Sequence, residues 1–92
     1  MSELRRKITI VNQRGLHARA SAKFVGAVAN LSEDTKVSVA KDGNEAAGGS
    51  ILGLMMLGAA KGDTIELIVS GADAEPAFNQ LGAMIEDGFG EE

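Results

Sequence analysis

Apolar residues in this chain alternate at period two in some segments and recur at helical spacing in others. The order of those two periods restricts the fold more than any other feature. Residues 7–11 (Lys7-Ile8-Thr9-Ile10-Val11) read as a half-buried strand with Ile8 and Ile10 inward. Gly15 then permits a tight turn. A helix is expected over residues 18–30, with Phe24, Val25, Val28 and Leu31 on one face. Residues 36–41 alternate again, placing Val37 and Val39 inward. Asp42-Gly43 is a strong signal for a two-residue hairpin, so residues 44–47 should return as a short strand. Gly48-Gly49-Ser50 opens a short helix that Gly58 is placed to end. Residues 64–70 make the last strand, with Ile65, Leu67 and Val69 inward. Asp73 suits the N-cap of a final helix and Pro76 its first turn. Ala74, Ala77, Phe78, Leu81, Met84, Ile85 and Gly88 trace that helix's apolar stripe, and Gly90-Glu91-Glu92 reads as a short tail.

The order βαββαβα, with one apolar face per element, predicts an α+β chain of two layers, helices covering one side of a sheet. Ninety-two residues are enough for one such domain, spanning 1–92, and too few for two. Phe24, Phe78 and Phe89 are the only aromatic residues, so the core must be aliphatic. The absence of cysteine excludes disulfides and thiolate metal sites and fits a reducing compartment. The apolar run after Arg5-Arg6-Lys7 is too short for an export signal, and residues 51–60 are too short to span a bilayer. A cytoplasmic protein without membrane attachment is expected.

Charge is unevenly placed. Through Val25 there are six basic residues (Arg5, Arg6, Lys7, Arg14, Arg19, Lys23) against Glu3, while after Gly62 there are eight acids and no Lys or Arg. The net charge of −4 and the lack of an aromatic-studded basic stripe argue against nucleic acid. The basic first quarter could receive a phosphate or an acidic partner surface, or could simply be solvated.

His17 is the only histidine. A lone histidine is more often structural than chemical, but this one follows a glycine turn and begins a helix. There the first backbone N–H groups lack intrahelical partners and the helix dipole favours an anion. Arg19 adds a guanidinium two residues on, completing the elements of a phosphate site. A cation is disfavoured at that end, so a neutral ring is expected near pH 7, and a neutral ring nitrogen is a nucleophile. No second His and no Cys is available to share a metal with it.

Two segments carry a family resemblance. Asn12-Gln13-Arg14-Gly15-Leu16-His17-Ala18-Arg19 resembles the active-site segment of the HPr family, the phosphocarriers of the bacterial phosphotransferase system. Gly48-Gly49-Ser50-Ile51-Leu52-Gly53-Leu54-Met55, with the run from Leu57 to Asp63, resembles that family's second signature, and Ser70-Gly71-Ala72-Asp73-Ala74-Glu75 is similar as well. The resemblance covers essentially the whole chain. It implies an open-faced sandwich, a four-stranded antiparallel sheet with three helices on one face. It also implies that phosphoenolpyruvate phosphorylates enzyme I, which passes the phosphoryl group to Nδ1 of His17, and that His17 gives it to an enzyme IIA-type acceptor. Arg19 would neutralise the phosphate, no cofactor or metal would be needed, and the carrier would act as a monomer rather than as an enzyme. One departure is plain: Ala20 stands where the family usually has proline, which leaves the helix entry less rigid.

Residues 51–60 are apolar nearly all round, more than a short helix on an open sheet can bury. By resemblance, Ile51, Leu52 and Met55 face partners while Leu54 and Leu57 pack inward; the alternative, that all of them are core, stays open. Ser50 is a good N-cap in any case. By resemblance it is also the residue that a serine kinase/phosphorylase modifies in some branches. Two other functions compete: a carrier of the nitrogen-related branch using the same His17 chemistry without sugar transport, and a non-catalytic regulatory binding module. The presence of both His17 and Arg19 counts against the second.

Overall fold

The computed structural model describes residues 3–91; Met1, Ser2 and Glu92 lie outside the described residues. The elements are β1 (Glu3–Thr9), α1 (Ala18–Ala29), β2 (Thr35–Lys41), β3 (Asn44–Ala47), α2 (Ile51–Met56), β4 (Thr64–Gly71) and α3 (Ala74–Glu86), followed by a 3-10 turn at Gly88–Gly90. The sheet runs β1-β4-β2-β3 with every neighbour antiparallel. The expected α+β open-faced sandwich is the fold found.

Alternation along the strands separates the two faces. Ile8, Val39, Ala46, Ile65, Leu67 and Val69 point into one core cluster with Phe24 of α1, Leu54 of α2 and Ala77, Leu81 and Ile85 of α3. The opposite face carries Arg5, Lys7, Lys36, Ser38, Glu45 and Glu66, with Arg5 paired to Glu66 across β1 and β4 at 3.1 Å. Ile68 is an exception that period-two reading missed. It belongs to the open face yet is 4% exposed. It lies on β4, one of the two interior strands, flanked in register by Arg5 on one side and Ser38 on the other.

The local signals explain most element boundaries. Asp42 and Gly43 both adopt positive φ (51° and 86°), the mirror-image turn whose twist suits a two-residue hairpin. Ser50 Oγ accepts the Gly53 N–H at 2.9 Å and starts α2. Gly58 follows it at φ 67°, the left-handed conformation that ends many helices.

Two expectations need correction. Strand β1 begins earlier and ends at Thr9, before Ile10 and Val11. Ile10 nonetheless stays buried, and its N–H donates to Asp63 O while its carbonyl accepts from Gly62 N, both at 2.8 Å, in the segment just before the neighbouring strand β4. Asp73 occupies the N-cap position of α3 but its side chain makes no cap bond. Its backbone is left-handed (φ 52°), and the third helical residue is Pro76, which has no N–H to offer.

Candidate functional site

The approach to His17 is built by contacts distant in sequence. Gly15 adopts φ 62°, and a Cβ there would lie 2.2 Å from the Ala59 carbonyl oxygen, so the close approach requires glycine. That same carbonyl accepts the Leu16 N–H at 3.0 Å. Asn12, almost fully buried, donates through Nδ2 to Gly15 O at 2.9 Å, and Gly15 N–H donates back to Asn12 O at 3.2 Å. The turn delivers His17 in extended conformation as the N-cap of α1. Ala20 and Ser21 are fully buried beneath it, and Ser21 Oγ donates to Leu16 O at 3.2 Å.

Both ring nitrogens are engaged. Nδ1 accepts the Arg19 backbone N–H at 3.3 Å. Nε2 lies 2.6 Å from Glu91 Oε2, with about a fifth of each side chain exposed. A donor N–H at Nδ1 and a carboxylate at Nε2 together favour the tautomer with its proton on Nε2 and a lone pair on Nδ1. No acidic residue occupies the first turn of α1. The Arg19 side chain is exposed and has no partner among the described residues.

Glu91 is a correction to the sequence reading, which treated Gly90-Glu91-Glu92 as a tail. The segment before it docks: Phe89 is 2% exposed, and Lys23 Nζ donates to its carbonyl at 2.9 Å. Asn12 Nδ2 donates to Glu91 Oε1 at 3.0 Å while Oε2 faces His17. The Asn12 hydrogen bond, with His17 and Lys23 adding to it against partial desolvation, holds the Glu91 carboxyl below the usual carboxylate range. Glu91 was missed because 74 residues separate it from His17. The one available signal was Phe89, a large apolar residue just past the apolar stripe of α3.

Helix α2 packs beside α1 and offers a different surface. Leu54 is fully buried and Leu57 partly so, whereas Ile51, Leu52 and Met55 are exposed, Leu52 to 68%. Met56, not singled out from the sequence, is the most exposed of the large apolar residues at 77%, and Val11 beside the His17 loop is also exposed. No group of acidic or histidine side chains suited to a metal occurs among the described residues, and no helix there is long and apolar enough to cross a membrane.

Comparison with known proteins matches this architecture. The family model described as PTS HPr component phosphorylation site covers residues 4–87. The chain is 46% identical to the phosphocarrier protein HPr of Neisseria meningitidis over 88 residues, 96% of this chain and 97% of that one. It is 36% identical to the phosphocarrier protein NPr of Shewanella violacea, over 99% of this chain and 98% of that one. An HPr crystal structure from Thermoanaerobacter tengcongensis superposes with a TM-score of 0.87 at 39% identity, covering 100% and 99% of the two chains. The family model spans nearly the whole sheet-and-helix frame, and relatives well above 30% identity cover almost all of it: the chain belongs to the HPr family of phosphocarriers.

Proposed function

We propose that this protein takes a phosphoryl group from phosphorylated enzyme I onto Nδ1 of His17 and passes it to an enzyme IIA-type acceptor. The observation that carries the reading is the state of the ring. Nδ1 bears a lone pair at the N-terminus of α1, next to the backbone N–H of Arg19. When Nδ1 bonds phosphorus, that N–H loses its acceptor and becomes available to a phosphoryl oxygen. The unpaired first-turn N–H groups and the helix dipole favour the anion, and the Arg19 guanidinium is free to approach it. Phosphoryl transfer spreads charge over three oxygens, so oriented donors and one cation supply the stabilisation such a transfer needs.

The exposed face of α2, Ile51, Leu52 and Met55, would dock both donor and acceptor in turn. Methionine suits a surface that must fit several partners. Ser50 at its start would be the target of a serine kinase/phosphorylase, in the cytoplasm, on a monomeric carrier. The NPr relative supports a second reading of the acceptor, in which the phosphoryl group serves nitrogen-branch signalling rather than sugar uptake.

The test is incubation with enzyme I, Mg²⁺ and phosphoenolpyruvate, followed by mapping of phosphate. Acid-labile phosphate on His17, absent from His17→Ala, is expected. Incorporation by His17→Ala equal to wild type would overturn the reading. Transfer from the loaded protein to purified acceptors of the two branches would separate the sugar and nitrogen alternatives.

A further inference from the structure

The Glu91 carboxylate has no part in the function proposed above, yet it makes the shortest contact of the His17 side chain. It is held from more than one side. Asn12 Nδ2 binds its other oxygen, the buried Phe89 anchors the chain two residues earlier, and Lys23 secures the Phe89 carbonyl. Asn12 is itself 5% exposed and locked to Gly15, so the carboxylate is presented by a rigid support. Its lowered pKa keeps it ionised at neutral pH.

We propose that Glu91 is a positioning residue for phosphoryl transfer, fixing the His17 ring with its proton on Nε2 and stabilising the charge that ring acquires. The inference rests on the carrier reading of His17. In the transfer the Nδ1 lone pair forms the N–P bond, while the bond from phosphorus to the donor's leaving atom breaks and its electron pair departs with the donor. No proton leaves the ring. Nε2 keeps its hydrogen, so the imidazole gains positive charge as the N–P bond forms, and the hydrogen bond to the Glu91 carboxylate, already charge-assisted through its acceptor, becomes one between opposite charges.

A carboxylate beside a ring nitrogen plays the same physical part in hydrolytic triads, holding the tautomer and stabilising the imidazolium. Nδ1 and Nε2 point to opposite sides of the ring, so the carboxylate lies behind the attacking nitrogen, away from the incoming anion. On the return step the same contact keeps Nε2 protonated, and a phosphorylated imidazolium is a better leaving group than a phosphorylated neutral ring.

Glu91→Gln tests this, because the amide oxygen can still accept from Nε2–H while the charge is gone. Phosphorylation from enzyme I would be timed for wild type, Glu91→Gln and His17→Ala, alongside ring ¹⁵N spectra and melting curves of the unphosphorylated proteins. Glu91→Gln is expected to accept phosphate about tenfold more slowly, the scale of one charge-assisted hydrogen bond. Its ring signals should move from the Nε2–H form toward a tautomer mixture, with little change in melting temperature. A wild-type or faster rate would overturn the proposal, as would a slower rate with unchanged ring signals, which would make Glu91 a partner contact. The controls separate the two ideas. Full incorporation by His17→Ala fails the carrier reading itself, whereas an empty His17→Ala beside an unaffected Glu91→Gln fails the Glu91 inference alone.

Discussion

Helix α1 and helix α2 each begin with a side chain that accepts a hydrogen bond from a backbone N–H of the first turn, but the two starts are built differently. Ser50 Oγ takes the Gly53 N–H at 2.9 Å, a strong local cap three residues away. His17 Nδ1 takes the Arg19 N–H at 3.3 Å, a longer bond to a nearer residue. The α1 start is then supported by distant segments, Ala59 through the Leu16 N–H and Glu91 through Nε2, while α2 leaves Leu52 and Met56 largely in solvent. The difference has a physical sense. Under the proposed carrier function, a cap that must give up its acceptor atom to chemistry is held loosely, and its position has to come from elsewhere in the fold. A cap with no such duty can be strong and local, and the helix behind it can be spent on surface.

The largest effect is expected at the α1 start. His17→Ala should lose phosphoryl acceptance completely while its melting curve shifts by no more than a weak cap allows, about 1 kcal/mol. Retained phosphate elsewhere on the chain would break the contrast, since the α1 start would then be an ordinary cap. Gly15→Ala should come next, and it should act on the fold. Its Cβ has no room against Ala59 O, and φ 62° is strained for alanine, so a loss of about 2 kcal/mol or more is expected in denaturant unfolding. Wild-type stability there would mean that the distant support of the His17 turn is dispensable.

Helix α2 should respond in the opposite sense. Met55→Glu places a charge at a residue 41% exposed and leaves Leu54 buried. It should weaken enzyme I binding about tenfold or more with a nearly unchanged melting temperature. Titration of labelled protein beside a thermal melt decides this; unaltered affinity with a collapsed melt would place Met55 in the core.

The same contrast explains how much was legible in the sequence. Period-two runs, the Asp42-Gly43 hairpin and the Ser50 cap are local signals, and each specifies its element without help from the rest of the chain. The place of His17 at a helix start was legible because it follows a glycine turn. The central placement of β4 between β1 and β2 was not, since alternation tells which face is apolar and says nothing about neighbours. Burial of Ile68 followed from that placement. Asp73 was misjudged because the missing N–H of Pro76, harmless to the helix itself, deprives the cap of one of the donors it would bind. Glu91 was out of reach for a related reason: its role exists only once Asn12 and Phe89 have brought a distant segment onto the ring.

The smallest energetic effect, and the sharpest test of the local start, concerns Ser50. Removing Oγ in Ser50→Ala deletes the bond to Gly53 N–H and should cost on the order of 1 kcal/mol, with phosphoryl transfer preserved. Ser50→Asp should keep the cap, because a carboxylate also accepts from first-turn N–H groups and the dipole favours its charge. Its consequence should fall on partners instead. Ile51, Leu52 and Met55 are exposed on the helix that Ser50 starts, and a negative charge is costly to bury in an apolar contact. The variant is therefore expected to melt like wild type yet accept phosphate from enzyme I more slowly, the behaviour a phosphoserine would share with greater charge. Timed phosphorylation of both variants beside their melting curves distinguishes the roles. If Ser50→Asp accepts phosphate at the wild-type rate, Ser50 is a cap alone. The α2 start would then differ from the α1 start in having no part in phosphoryl traffic at all.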